Sequence, residues 1–241
     1  LIDAPGATIA DNWIGEAGWH GIAAPDGTGP QLQANAIGAA GGDGIHVADG
    51  ADARIVANEI DGALGHGIAL NHGADAIISN TRIGPVGADG IWVGVATNAT
   101  VESNVIAMAG GRGIRVLDGV QASVQNNEVQ QALVAAFDLQ GTDNAIFTGN
   151  RILSSGGDGI RGKSANHVEI SRNELDWIDL NGIVVVDSPN VRITENAIAF
   201  AGRDAIQIVN GTELLVSGNT IARAIGNGID LQGGDLAGSL M

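Results

Sequence analysis

The sequence contains no cysteine and no tyrosine, only 11 lysines plus arginines among 241 residues, and no long apolar run. Without cysteine there is no disulfide framework and no thiol chemistry, so stability has to come from a packed core. The missing apolar run, near 18 residues or longer, excludes a membrane-spanning helix. The few basic residues face 27 Asp plus Glu, for a net charge of −16. A surface of that sign repels nucleic acid and anionic membranes and keeps the chain soluble, so neither nucleic acid nor membrane insertion is expected.

What is present is a repeat. Counting in steps of 23 from Asn12 meets Asn35, Asn58, Thr81, Asn104, Asn127, Asn150, Asn173, Asn196 and Asn219. Three positions before each marker stands an apolar residue, as at Ile9, Leu32, Ile55, Phe147 and Val216. Two positions after it runs a second apolar column, from Ile14 and Ile37 to Ile221. A third column passes through Ile22, Ile45, Phe137 and Ile229, each preceded by Gly or Ala. A fourth lies two residues further on, through Val47, Leu70 and Leu231.

A fixed period of this size means that no unit can bury its apolar face alone and each must stack on its neighbours. Apolar residues two apart, as in Ile45-His46-Val47, mark one face of a short strand. The Gly, Asn and Asp between such pairs form turns rather than a helix. The Leu-x-x-Leu-x-Leu frame of leucine-rich repeats is absent. The expected fold is therefore all-β: a single parallel β-helix, or β-solenoid, of about ten coils of 23 residues with an Asn ladder. At ~4.8 Å between stacked strands, ten coils make a rod of roughly 48 Å.

Stacking gives the asparagines a structural purpose. Each donates its amide to the side-chain carbonyl of the next coil and satisfies turn groups that would otherwise be buried unpaired. Thr81 keeps only a hydroxyl in that slot, and a local break in the ladder is expected there. The glycines before the third column are expected where a Cβ would crowd the turn.

Residues 1–241 are expected to form one β-helix domain. Leu1 falls in the slot of Val47 and Leu70, and the repeat fades after about Asp235. This register suggests a piece of a longer chain or one lacking its caps, its ends stacking on other chains or joining flanking domains.

Two polar columns could carry chemistry. The slot before the glycines reads His20, Asp43, His66, Asp89, Arg112, Ala135, Asp158, Asn181, Asp204 and Asn227. Its alternation of unlike groups fits a structural ladder, while Asp43, His66 and Asp89 offer donors that suit zinc or a similar ion if their side chains converge. The slot between the third and fourth apolar columns is expected to point outward. There Trp92, Arg115, Asp138 and Arg161 follow one another. An aromatic face stacks on a sugar and arginine pairs with carboxylates, so this stripe is a candidate for an acidic polysaccharide. The competing reading is a surface Arg-Asp-Arg ladder worth little energy. Two tryptophans, Trp13 and Trp19, stand near one end, positioned to shield it or to stack on sugar.

The Asn-x-Ile, then Gly-Ile-x-Val, frame over residues 7 to 235 resembles the parallel β-helix repeats of the pectin-lyase-like superfamily. That resemblance implies a right-handed helix, an extracellular or periplasmic location and action on, or binding of, polysaccharides. It carries no enzyme signature across. Several relatives use a tyrosine and a histidine near an Asp-Pro-His-Glu motif, and this chain has neither that motif nor any tyrosine. Gly65-His66-Gly67 resembles a polygalacturonase tripeptide, without the paired carboxylates such hydrolases need. Pectate lyases place an arginine base beside a calcium site. Arg115 or Arg161 with Asp138 imitate part of it, and calcium is the cofactor expected only in that case.

The expected function is a non-catalytic structural or adhesive segment of a secreted bacterial protein with weak polysaccharide affinity. The alternatives are a polysaccharide lyase or C5-epimerase domain, and an idealised solenoid without a natural ligand.

Overall fold

The computed structural model describes residues 6–24, 29–72, 74–95 and 97–233. Both features that suggested a piece of a longer chain, Leu1 and the fade after Asp235, lie outside them. The described chain forms three ten-stranded parallel sheets. The first runs from Thr8–Ala10 to Leu215–Ser217, the second from Trp13–Ala17 to Thr220–Ile221, and the third from Ile22–Ala24 to Ile229–Gln232. Partners are displaced by one period throughout, as in Ile9 with Leu32, Ile14 with Ile37 and Ile22 with Ile45.

The four apolar columns face inward and merge into one core that runs from Ile22 to Ile208. Two further inward columns of mostly small residues close the corners, through Ala40, Ala109, Ala132 and Ala201 and through Ala53, Ala76, Ala99 and Ala145. Phe137 and Phe147 meet edge to face with centroids 6.1 Å apart and fill the middle of the rod.

Each coil turns its corners with residues in the left-handed region. One such residue directly precedes the ladder position, including Asp11, Ala34, Ala57, Ser103, Arg172 and Glu195, all with φ between 50° and 58°. For non-glycine residues that conformation costs about 1–2 kcal/mol each. It persists because the next residue's hydrogen bonds hold the corner.

Those bonds are regular. The backbone N–H of Asn104 donates to Asn127 Oδ1 at 3.0 Å, its Nδ2 donates to the same oxygen at 3.0 Å, and Nδ2 also reaches the Ile78 carbonyl at 3.0 Å. The pattern repeats at Asn35, Asn127, Asn150, Asn173 and Asn196, ending on Asn219, whose Nδ2 bonds the Ile193 carbonyl. The expected break is where Thr81 stands. Asn58 reaches Thr81 only through its backbone N–H, at 3.4 Å, and turns Nδ2 to the Leu32 and Val56 carbonyls.

From Gly21 to Gly182 the glycines before the third column are dictated by crowding, since their φ is ordinary, whereas at Gly228 a Cβ would meet nothing within 4 Å. A Cβ on Gly67 would come within 2.6 Å of both the Gly90 carbonyl oxygen and Ile83 Cγ2. Gly67→Ala is expected to cost about 2 kcal/mol, as overpacking does, and a lowered urea midpoint without loss of β-structure would register it.

Candidate functional site

Outer-face residues of the third sheet build the site. The slot before the glycines and the slot between the third and fourth columns are three residues apart, and both project from the same outer surface. They form one polar face rather than two separate stripes. His46 Nδ1 lies 2.9 Å from Asp43 Oδ2, and Gln207 Nε2 donates to Asp204 Oδ2 at 3.4 Å.

Within that face the first slot works as an acceptor ladder. Asp43 Oδ1 takes the His66 N–H at 2.8 Å, Asp89 Oδ1 the Arg112 N–H at 2.7 Å, and Asp158 Oδ1 the Asn181 N–H at 3.1 Å. Histidines serve likewise: His20 Nδ1 accepts the Asp43 N–H at 3.0 Å, and His66 Nδ1 the Asp89 N–H at 3.2 Å. Asp43, His66 and Asp89 are thus rungs joined through the backbone, and the structure does not gather them round one point. Among the described residues the donors that do converge are His20, Asp43 and His46, with one ligating atom from each within 4.8 Å of the others.

The Trp92, Arg115, Asp138 and Arg161 stripe is continuous along the sheet, since Trp92 pairs with Arg115, Arg115 with Asp138, and Asp138 with Arg161. It is not uniformly exposed as expected. Asp138 is buried at 4% exposure. Arg112 Nε approaches its Oδ2 to 2.6 Å and Arg115 Nε to 3.5 Å. Neither Nε–H makes a hydrogen bond, so the attraction is of charge rather than of aimed donors. Arg112 also lies 3.9 Å from Asp89. The ion pairs therefore run Asp89, Arg112, Asp138, Arg115, and Arg161 stays exposed without an ion-pair partner among the described residues. The expected Arg115-Asp138-Arg161 ladder is replaced because Arg112 and Arg115, three apart on one strand, both lean on the same carboxylate.

Trp92 lies flat. A Cβ on Gly94 would fall 2.8 Å from its ring, and His66 stacks on it with centroids 5.9 Å apart.

The His20 imidazole stacks on that of His46, with centroids 4.4 Å apart and planes 21° from parallel. Its pKa is lowered, first by burial and then by the His46 charge, with Asp43 opposing more weakly. The fold therefore favours neutral His20. Stability is complete above the unfolded value of about 6.5 and falls as pH drops through it toward the lower folded pKa, where the unfolded chain alone takes up the proton. The urea midpoint is expected to fall more between about pH 7.5 and about pH 5.5 in the wild type than in His20→Gln.

Reading columns for their residue types missed a second feature. Trp177, Phe200 and Arg223 stack along the outer face of the second sheet. Trp177 is 65% exposed, its ring centroid is 5.2 Å from that of Phe200, and the Arg223 guanidinium carbon lies 5.5 Å from the Phe200 centroid. Beside them Glu174, Asp176, Ala199 and Thr220 line a shallow cleft of about 230 Å³. The one-period spacing of the three residues was the signal available.

The model of the right-handed beta helix region matches residues 1–136 and 116–240. The chain belongs to this right-handed β-helix family. Two solved structures resemble this β-helix. A crystal structure of PfbA, a surface adhesin of Streptococcus pneumoniae, superposes with a TM-score of 0.59 at 10% identity, over 95% of this chain and 76% of that one. A second structure of this S. pneumoniae surface protein and adhesin gives 0.60 at 11% identity, over 88% and 77%. At such identity the likeness is one of fold alone. No curated protein matches the sequence.

Proposed function

We propose that this β-helix is a non-catalytic adhesive rod of a bacterial protein exposed outside the cell, and that it holds an acidic polysaccharide weakly along the outer face of the third sheet. The observation that carries this reading is the flat Trp92 ring in line with arginines, one position per coil. A sugar stacks on the ring, and a carboxylate on the following residues meets Arg115 and Arg161, with the exposed Lys163 beside them. The charge of Asp138 is already answered by Arg112 and Arg115, so it does not repel such a ligand. The net charge of −16 opposes an acidic chain at long range, which is why the affinity is weak.

Two observations favour binding over turnover. The carboxylate on the stripe is buried between arginines, and the constant 23-residue period leaves no long loop to wall a cleft. The fold is shared with a surface adhesin, which agrees with a rod that displays its faces.

Affinity electrophoresis in polygalacturonate, alginate or neutral dextran tests this. Retardation is expected in the uronates only, weakened about tenfold by Trp92→Ala and by Arg161→Ala, or about 1.4 kcal/mol each. Ultraviolet absorbance of unsaturated products should stay flat with and without calcium. Equal retardation of the variants would overturn the assignment of the face, and a rising absorbance would replace the adhesin with a lyase.

A further inference from the structure

We propose that His20, Asp43 and His46 bind one divalent transition metal ion of the zinc class on the third sheet. This site is independent of the polysaccharide reading.

Its geometry is close to what such an ion requires. Adjacent ligands of a tetrahedral ion at ~2.0–2.1 Å stand roughly 3.3 Å apart. Asp43 Oδ2 is 3.4 Å from His20 Nδ1 and 2.9 Å from His46 Nδ1. Two imidazoles and one carboxylate form a mixed nitrogen and oxygen set that suits zinc and its neighbours rather than calcium or magnesium. The side chains are 15%, 11% and 32% exposed for His20, Asp43 and His46, so the ion can enter and keep a position for water.

Surrounding groups hold the donors in place. The His66 N–H fixes Asp43 Oδ1 at 2.8 Å, which leaves Oδ2 facing the two rings. Trp19 packs edge-on against His20 with centroids 5.1 Å apart. Such outer contacts orient ligands and raise affinity. Binding exchanges two hydrogen bonds, Asp43 N–H to His20 Nδ1 and His46 Nδ1–H to Asp43 Oδ2, for three coordinate bonds. The proton of a neutral His46 then resides on Nε2, and no electron is transferred.

The neighbouring coils explain why the site occurs once among the described residues. One coil on, the equivalent of Asp43 is His66 and the equivalent of His46 is Ala69. His66 and Asp89 remain a two-donor pair, 3.9 Å apart. His72 and Asp49 form another exposed pair at 3.5 Å.

The test titrates the full chain with zinc sulfate against a chromophoric chelator. One equivalent is expected in the wild type. His46→Ala and Asp43→Asn should each weaken binding by at least about 10–100-fold, the scale on which loss of even an outer partner of a ligand lowers affinity. His72→Ala should bind as the wild type does. Metal-free His46→Ala loses the Asp43 hydrogen bond and the His20 stack, so its urea midpoint should fall by no more than the worth of about 1 kcal/mol with the β-structure intact, which separates lost binding from lost folding. Cobalt in place of zinc should give visible absorption in the wild type that is absent in His46→Ala. No tight equivalent in the wild type, or equal loss in His46→Ala and His72→Ala, would overturn the proposal.

Discussion

Asn127→Ala is expected to lower the unfolding free energy by about 3–4 kcal/mol. Asn127 lies fully inside the ladder at 1% exposure. Its Oδ1 takes both the N–H and the Nδ2 of Asn104, and its own Nδ2 serves the Val101 carbonyl and Asn150 Oδ1. Alanine removes all four bonds at once. Asn104 Nδ2 keeps the Ile78 carbonyl, and Asn150 Oδ1 keeps the Asn127 N–H, so these two lose only part of their bonding. The Asn104 N–H is left buried without a partner, which costs about 1–3 kcal/mol, and the Val101 carbonyl, held in the strand ladder, loses its second bond, worth about 1 kcal/mol. Urea unfolding followed by far-ultraviolet circular dichroism measures the loss. The converse change, Thr81→Asn, restores the missing rung and is expected to stabilise by about 1 kcal/mol, the net worth of an added hydrogen bond. If Asn127→Ala lies within 1 kcal/mol of the wild type, the ladder is filler and the apolar columns alone hold the coils.

Asp138→Ala is expected to cost about 3 kcal/mol. Breaking a buried ion pair by removing one partner typically costs about 3–5 kcal/mol, because the remaining charge is left uncompensated. Here the arginines keep some water, with side chains 24% and 26% exposed, so the lower end of that range applies. Asp138→Asn retains the shape and removes the charge. It should cost less and, by freeing Arg112 and Arg115, should strengthen retardation in acidic polysaccharide. A stable Asp138→Asn with unchanged retardation would show that these arginines do not reach the ligand.

Much of this molecule was legible before any coordinates. In a stack of equal coils the strand partner of a residue is found by adding one period, so Ile45 on Ile68 and Asn104 on Asn127 follow from arithmetic. Thr81 was legible as the weak rung because a hydroxyl has fewer bonds to offer than a carboxamide. The polar face was half legible. Its two columns could be written out, but their contact at three-residue spacing could not, since it depends on how the strand leaves the glycine and where each side chain turns. For that reason the columns present the stripe as open at Asp138, and offer Asp43, His66 and Asp89, beside their reading as a structural ladder, in place of His20, Asp43 and His46.

By itself, the sequence determined the period, the inward columns, the ladder and the parallel β-helix, because each is a repeated local pattern whose burial needs only stacking. Only the tertiary structure decided which polar side chains meet. Ala34, Arg172 and Glu195 give no compositional sign that they stand at left-handed corners. On the third sheet, strand pairing and the side-chain torsions bring His20 onto His46 and draw Arg112 beside Asp138. Periodicity states which residues share a column, and contact across columns is settled by the shape of the coil.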